Sequence, residues 1–416
     1  MPKLNFKLSE SGYPVFYIKV PDANICKVEI VVKCGSAHED ADSWGVAHFL
    51  EHMCFQGTPT KNKHQVNREQ SLIGSYNAYT NYFNTAYHFD SLTQDFEKGL
   101  TLLKEVVFDS NYPEHEFEKE KSVIVEEWRM YDNDPSQHYF NFVTDKCFGP
   151  KEGHPIIGTE ESIKEMTPEK LHRFRDKWYG KENMFIVVVG DLDFDRVMTA
   201  INSTLPAAKE VEKSPICLSE FLPKDKKCTF ETNRFEQAQF GMICKWPSPE
   251  ASIKEKYVSK FFHWALHQYM HEYIRDDLGL CYGIGASPFS HVENSNLLIS
   301  MLTSNDHLEK AEFELDGLFE RIKSEGFPDE IFQICKKQQL YSRTKLLQDV
   351  HGVLNTASNG IMGSSNPDWF ITDGQKALNF EWIKGCSDDL TPIDLQNFAN
   401  KWLNDFTKLS MISTKN

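Results

Sequence analysis

Met166-Thr-Pro-Glu-Lys-Leu-His-Arg-Phe-Arg-Asp-Lys-Trp178 and Leu390-Thr-Pro-Ile-Asp-Leu-Gln-Asn-Phe-Ala-Asn-Lys-Trp402 align at one offset of 224 residues. Thr167/Thr391, Pro168/Pro392, Phe174/Phe398 and Trp178/Trp402 are identical pairs. In both, Thr reads as an N-cap with Pro at the first helical position, and the helix leads into a β-rich run, Phe185–Val189 or Leu409–Ser413. A second echo, at an offset of 215, pairs Tyr112-Pro-Glu-His-Glu-Phe117 with Phe327-Pro-Asp-Glu-Ile-Phe332. Two echoes in the same order indicate a duplication.

Apolar runs at Val28–Val32, Ala86–Leu92, Met184–Val189, Phe240–Cys244 and Leu297–Leu302 read as strands, with amphipathic helices between them. The fold class is therefore α+β: two tandem copies of one domain, each a mainly antiparallel sheet covered by helices on one face. The expected division is 1–207, a Lys/Pro-rich linker 208–227, and 228–416. A length of 416 residues suits two domains.

Composition narrows the function. A net charge of −16 argues against nucleic acid as partner, since a phosphate backbone would be repelled. No phosphate-binding loop appears, and Gly279, Gly283 and Gly285 lack dinucleotide-fingerprint spacing. The N-terminus has no apolar signal core and no long apolar run follows, so no membrane span and a cytoplasmic location are expected. Ten scattered cysteines, several in apolar runs (Cys54, Cys244, Cys335), suit a reducing compartment.

The chemistry concentrates in His48-Phe49-Leu50-Glu51-His52. Ser43 is the expected cap of a helix from Trp44 to about Phe55, stopped near Gly57 and Pro59. On it, His48 and His52 point from one face a turn apart, with Glu51 on the same face. A catalytic zinc needs a third protein ligand and an open position for water. The acidic helix 116–131 can supply it, its apolar stripe being Phe117, Ile124, Trp128 and Tyr131. At about 100° per residue Glu127 falls about 60° from Ile124 and Glu126 about 160° away, so Glu127 turns inward. Glu120 shares the face of Glu127 and can orient the site from behind.

The His-x-x-Glu-His order is the inverted zinc-peptidase motif. With Gly45–Gly57, Gly74-Ser-Tyr-Asn-Ala-Tyr-Thr80, Glu120–Glu127, Trp178–Asp191 and Arg275-Asp-Asp-Leu-Gly-Leu-Cys-Tyr282, the chain resembles the pitrilysin/insulinase family. The likeness is to half-length members such as mitochondrial processing peptidase. The family's distal Glu lies about 75 residues after the second His; Glu127 lies 75 after His52. The resemblance implies a zinc metalloendopeptidase with one Zn2+ per chain, held by His48, His52 and Glu127, with Glu51 as general base and peptides as substrate. It implies that Asn77 and Ala78 lie on an edge strand that receives substrate backbone, and that Arg275 and Tyr282 complete the site. It further implies that the second copy binds no zinc, since Cys335–Ser342, in the place of Glu120–Glu127, carries no carboxylate.

From the residues alone, Arg275 and Tyr282 read as packing side chains, Asn77 as a turn residue, and Phe55 as either core or a lining of the substrate pocket. Longer family members enclose substrate with four such domains; this chain has two. It is therefore expected to pair, as a homodimer or with an inactive relative, so that Arg275 and Tyr282 of one subunit face the zinc of the other. The acidic balance favours basic or extended peptides. A non-catalytic scaffold of the same fold is the alternative. His263, His267 and His271 lie in line on one helix, which cannot surround an ion, and read as a polar or partner-facing stripe.

Overall fold

The computed structural model describes residues 2–214, 225–247, 251–291, 294–362 and 367–415. Thirteen strands are present among them: β1 Lys3–Leu8, β2 Pro14–Lys19, β3 Ile25–Val32, β4 Gly57–Thr58, β5 Lys61–Asn62, β6 Gly74–Thr80, β7 Thr85–Leu92, β8 Met184–Gly190, β9 Lys227–Thr232, β10 Ala238–Lys245, β11 Gly283–His291, β12 Asn294–Thr303 and β13 Thr407–Ser413. The five apolar runs read as strands all lie within strands.

The duplication is explicit in the sheets. The first has the order β1-β2-β8-β3-β7-β6 and the second β11-β12-β10-β13-β9. Read from its other end, the second sheet repeats the first without β1. Each sheet has one parallel pair, β2 with β8 and β13 with β9, among otherwise antiparallel neighbours. The small β4–β5 hairpin stands apart.

The copies cover one another reciprocally. Along β8, Ile186 and Val188 face the first copy's own helices, while Phe185, Val187 and Val189 face the opposite way, as strand alternation requires. That opposite face is closed by the helix Val350–Met362 of the second copy, through Val350, Val353, Leu354, Ala357 and Ile361. The far face of the second sheet (Ile243, Leu298, Leu409, Met411) is closed in turn by Tyr139, Val143, Cys147 and Phe148 of the first-copy helix Pro135–Glu152. The two covering helices start 215 residues apart, the offset of the second echo. Gly241 of β10 leaves room for Tyr139, whose hydroxyl bonds the Leu409 carbonyl at 3.0 Å. Burial on both faces is why β8, Met-Phe-Ile-Val-Val-Val-Gly, reads as a continuous apolar run.

Two charged residues interrupt β3 for the same reason. Glu29 is buried and accepts from Tyr79 at 3.2 Å and from Ser358 of the covering helix, and Lys27 lies 3.1 Å from His351 Nδ1. Of the stretch read as linker, 215–224 lies outside the described residues; 208–214 is tied to the first copy by Ala208 N to Ser11 O at 2.7 Å and Ser214 N to Asn183 Oδ1 at 2.7 Å. No helix among the described residues is long and apolar enough to cross a membrane. None of the nine described cysteines forms a disulfide.

Candidate metal centre

The helix carrying the two histidines spans Val46–Cys54. Its N-cap is Gly45, not Ser43, and no cap side chain serves it. Gly45 sits at φ 89°, and a Cβ there would run into the Ile157 carbonyl, so only glycine fits. Ser43 instead donates to the Asp40 carbonyl at 3.2 Å. The exposed amides are met by a carboxylate from further upstream: Glu39 accepts from Gly45 N at 2.7 Å and Ala47 N at 2.8 Å. A negative charge there also complements the positive end of the helix.

His48 and His52 emerge from this helix with ring centroids 4.6 Å apart. Glu127 reaches them from the helix Glu114–Asp132, its oxygens 3.8 Å from His48 Nε2 and 3.5 Å from His52 Nε2. One ligand atom from each of the three lies within 4.8 Å of the others. These separations are too long for hydrogen bonds and close to the roughly 3.4 Å between donors at the corners of a tetrahedral zinc with bonds of about 2.1 Å. Glu126 points outward and pairs with Arg129 at 2.5 Å.

The electrostatics favour ligation. His48 is pushed down to about 3 by burial and then by His52, so its imidazole is neutral with one nitrogen lone pair available, and its Nδ1 is buried without a partner among the described residues. His52 Nδ1 lies 2.9 Å from buried Glu120, which also holds Lys63 at 3.4 Å. A proton on that Nδ1 leaves the Nε2 lone pair facing Glu127. Burial works against charge on both partners. For His52, the Glu120 hydrogen bond and the charges of Glu51, Glu127 and Glu120 outweigh it and raise the imidazole; for Glu120, His52 and Lys63 outweigh it and lower the carboxyl.

Glu51 is buried beside the group, and Thr80 Oγ1 at the end of β6 donates to its Oε2 at 2.8 Å. Burial raises its carboxyl, with Thr80 and His52 opposing and Glu127 adding to the rise. Tyr131, read as part of an apolar stripe, is 38% exposed and close enough to Glu127 for that carboxylate to add to the rise that burial causes in its phenol; Val125 is the buried residue instead. Thr80, Lys63 and Glu39 escape a reading of the sequence, because each meets the site through a contact between separate elements.

The remaining residues lie as follows. Asn77 and Ala78 sit on β6, the edge strand of the first sheet, opposite His88 and Tyr87, and Asn77 Oδ1 accepts from Ala78 N at 2.9 Å. Phe55 caps the helix at its C-terminal end and packs against the core near Tyr87. Arg275 lies on the irregular helix His271–Asp277, 2.5 Å from His271 Nε2, and Tyr282 is 81% exposed just before β11. Among the described residues neither bonds His48, Glu51, His52 or Glu127. The three histidines of the stripe serve separately: His263 donates to the Ala286 carbonyl at 2.5 Å, His267 lies against Gly285, and His271 meets Arg275 and Asp276.

A duplicated α+β fold with two histidines and a distal carboxylate around a His-x-x-Glu-His helix is the arrangement of the inverted-motif zinc peptidases. Residues 15–160 match the family described as Insulinase (Peptidase family M16), and residues 165–339 match Peptidase M16 inactive domain. The chain belongs to the M16, insulinase-type peptidase family. An uncharacterized zinc protease of Rickettsia felis is 27% identical over 357 residues, covering 83% of this chain and 85% of that protein. The mitochondrial-processing peptidase subunit beta of Saccharomyces cerevisiae is 29% identical over 181 residues, 43% of this chain and 39% of that one. The crystal structure of a protease from Helicobacter pylori superposes with a TM-score of 0.84 at 20% identity, covering 99% of this chain and all of that one.

Proposed function

We infer that this chain is a zinc-dependent endopeptidase acting on peptides or unfolded segments. The observation that carries the reading is the convergence of His48, His52 and Glu127, with Glu51 buried beside them and held by Thr80. His48, His52 and Glu127 would hold one zinc. Bound there, the metal supplies Lewis-acid polarisation of a scissile carbonyl and makes water more acidic. Glu51 takes the proton from the attacking water and returns it to the leaving amine; its raised carboxyl suits both directions of transfer. Thr80 fixes the carboxylate's orientation, and Glu120 fixes the tautomer of His52.

Substrate backbone would add to the β6 edge at Asn77 and Ala78, the Asn77 side chain releasing the Ala78 amide. Phe55 would line the pocket for the residue after the cut bond. The net charge of −16 favours basic peptides. Arg275 and Tyr282 would serve the site of a partner subunit in a homodimer, for which the exposure of Tyr282 speaks. The absence of disulfides among the described cysteines suits a cytoplasmic setting. The complete ligand set speaks against a purely scaffolding role.

The test is metal analysis combined with cleavage of a quenched peptide, with and without chelator. Zinc near one per chain, activity lost on chelation, and a Glu51→Gln variant that keeps zinc but does not cleave are expected. A metal-replete Glu51→Gln variant with full activity would overturn the assignment of the base.

A further inference from the structure

A cavity of about 710 Å3 lies apart from the His/His/Glu group, and none of His48, Glu51, His52 or Glu127 lines it. It is bounded by the second-copy helices Ile253–Met270, Val350–Met362 and Phe380–Asp389, and Phe83 and Asn84 of the turn between β6 and β7 contribute to its wall. The volume is that of a small-ligand site. Its charge is one-sided: Lys256, Lys260 and Arg343 line it, and among the described residues no Asp or Glu does.

That imbalance is notable in a chain with 61 acidic and 45 basic residues. Elsewhere the chain supplies carboxylates freely; Lys408, for example, meets both Glu312 and Asp316. Lys260 and Arg343 have no ion pair among the described residues. Arg343 is half-buried, and Lys260 is exposed to the cavity although protein atoms surround it. Its ammonium is pushed down to about 7 by burial, then by Arg343 and Lys256. Burial likewise lowers Arg343, but a guanidinium does not shed its proton, so the cavity keeps a positive charge that nothing described neutralises. Like charges facing one cavity repel, and an anion from outside relieves that repulsion.

We propose that this cavity is an anion-binding site that takes a carboxylate or phosphate group on Lys260 and Arg343. Asn355 and Asn359, which also line it, offer neutral hydrogen-bond donors, and Trp246 and Trp382 offer apolar surface to the rest of the ligand. Two sources supply this chemistry: a free polyphosphate, or the C-terminal carboxylate of a peptide. The turn that carries Phe83 and Asn84 follows directly on Thr80, which holds Glu51, so a ligand here lies against the same loop as the catalytic carboxylate.

The test is equilibrium binding to the full chain by calorimetry below pH 7, where Lys260 is charged. The probes are inorganic tripolyphosphate and an acetylated tripeptide with either a free or an amidated C-terminus. Binding by tripolyphosphate or by the free-acid peptide is expected, with affinity falling about tenfold or more in Lys260→Met and in Arg343→Met. Tripolyphosphate alone would identify a free polyanion; the free acid without its amide would identify a peptide terminus. In unsubstituted protein, a bound probe should also shield the Lys260 amine from reductive methylation, read by mass spectrometry. The proposal falls if no probe binds, if both folded variants bind as the parent does, or if saturating probe leaves methylation of Lys260 unchanged. No readout involves cleavage or metal, so its failure and that of the peptidase reading are separable.

Discussion

Glu39 and His154 form a buried pair, Oε2 to Nε2 at 2.9 Å, and the same carboxylate holds the first amides of the histidine helix. His154 Nδ1 donates to the Lys151 carbonyl at 2.9 Å, and Trp44 stacks on the ring with centroids 5.0 Å apart. The metal helix is thus anchored to the end of the helix Pro135–Glu152, the one that also covers the second sheet. Burial raises Glu39, while His154 and the two amides oppose the rise.

Removing one partner from such a pair leaves a buried carboxyl half satisfied. His154→Ala is expected to destabilise the chain by about 3–5 kcal/mol in urea unfolding. A loss below about 1 kcal/mol would show that the pair does not anchor the helix.

Glu120 acts on the metal group through His52. Replacing it with Ala frees the His52 tautomer and leaves Lys63 without its partner. Zinc affinity, measured by competition with a chromogenic chelator, is expected to fall about 10–100-fold while the fold persists. Unchanged affinity would remove Glu120 from the site.

How far the site could be read from the sequence follows from how local each relationship is. His48, Glu51 and His52 share one helix, and choosing Glu127 over Glu126 needs only helical geometry, so their juxtaposition was accessible. Thr80 and Glu39 were not: one depends on where the β6 strand ends against the helix, the other on a loop that folds back over Gly45. Ser43 is a good cap residue by type, but the left-handed Gly45 shifts the helix start and leaves it outside. The reciprocal cover was visible only as an offset. Lys27 and Glu29, charged residues flanking and interrupting an apolar strand, were its one chemical sign, because their partners sit on the other copy.

Lys33 gives a pH dependence with a definite sign. Its ammonium lies 5.5 Å from the Phe185 ring and is pushed from 10.5 down to about 8, first by burial and then by Lys213. Below pH 8 folded and unfolded chains are both protonated, and the folded one carries the whole cost of burying the charge. Between 8 and 10.5 the unfolded chain alone holds the proton, so stability from this group rises with pH and the cost is gone above 10.5. Lys33→Met is therefore expected to stabilise at neutral pH by about 1–2 kcal/mol, discounted for partial solvent access. The gain over the parent should shrink across that window in denaturant titrations; a gain that does not change with pH would exclude burial of the charge as its cause.

The homodimer reading makes the sharpest prediction. Arg275 and Tyr282 sit on the second copy, Tyr282 81% exposed, and neither touches the His/His/Glu group of its own chain among the described residues. If they serve the partner's site, each site draws Glu51 from one subunit and Arg275 with Tyr282 from the other. A Glu51→Gln variant and an Arg275→Ala/Tyr282→Phe variant would each be inactive alone. After subunit exchange, half of the sites in a mixed dimer carry both defects and half carry neither, so cleavage should return to about a quarter of the parent rate at equal mixing with random two-fold pairing. Exchange is verified independently by mass spectrometry of differently labelled subunits. If labelled mixed dimers form and cleavage stays absent, both halves of the site are needed within one chain, and the shared-site arrangement is wrong.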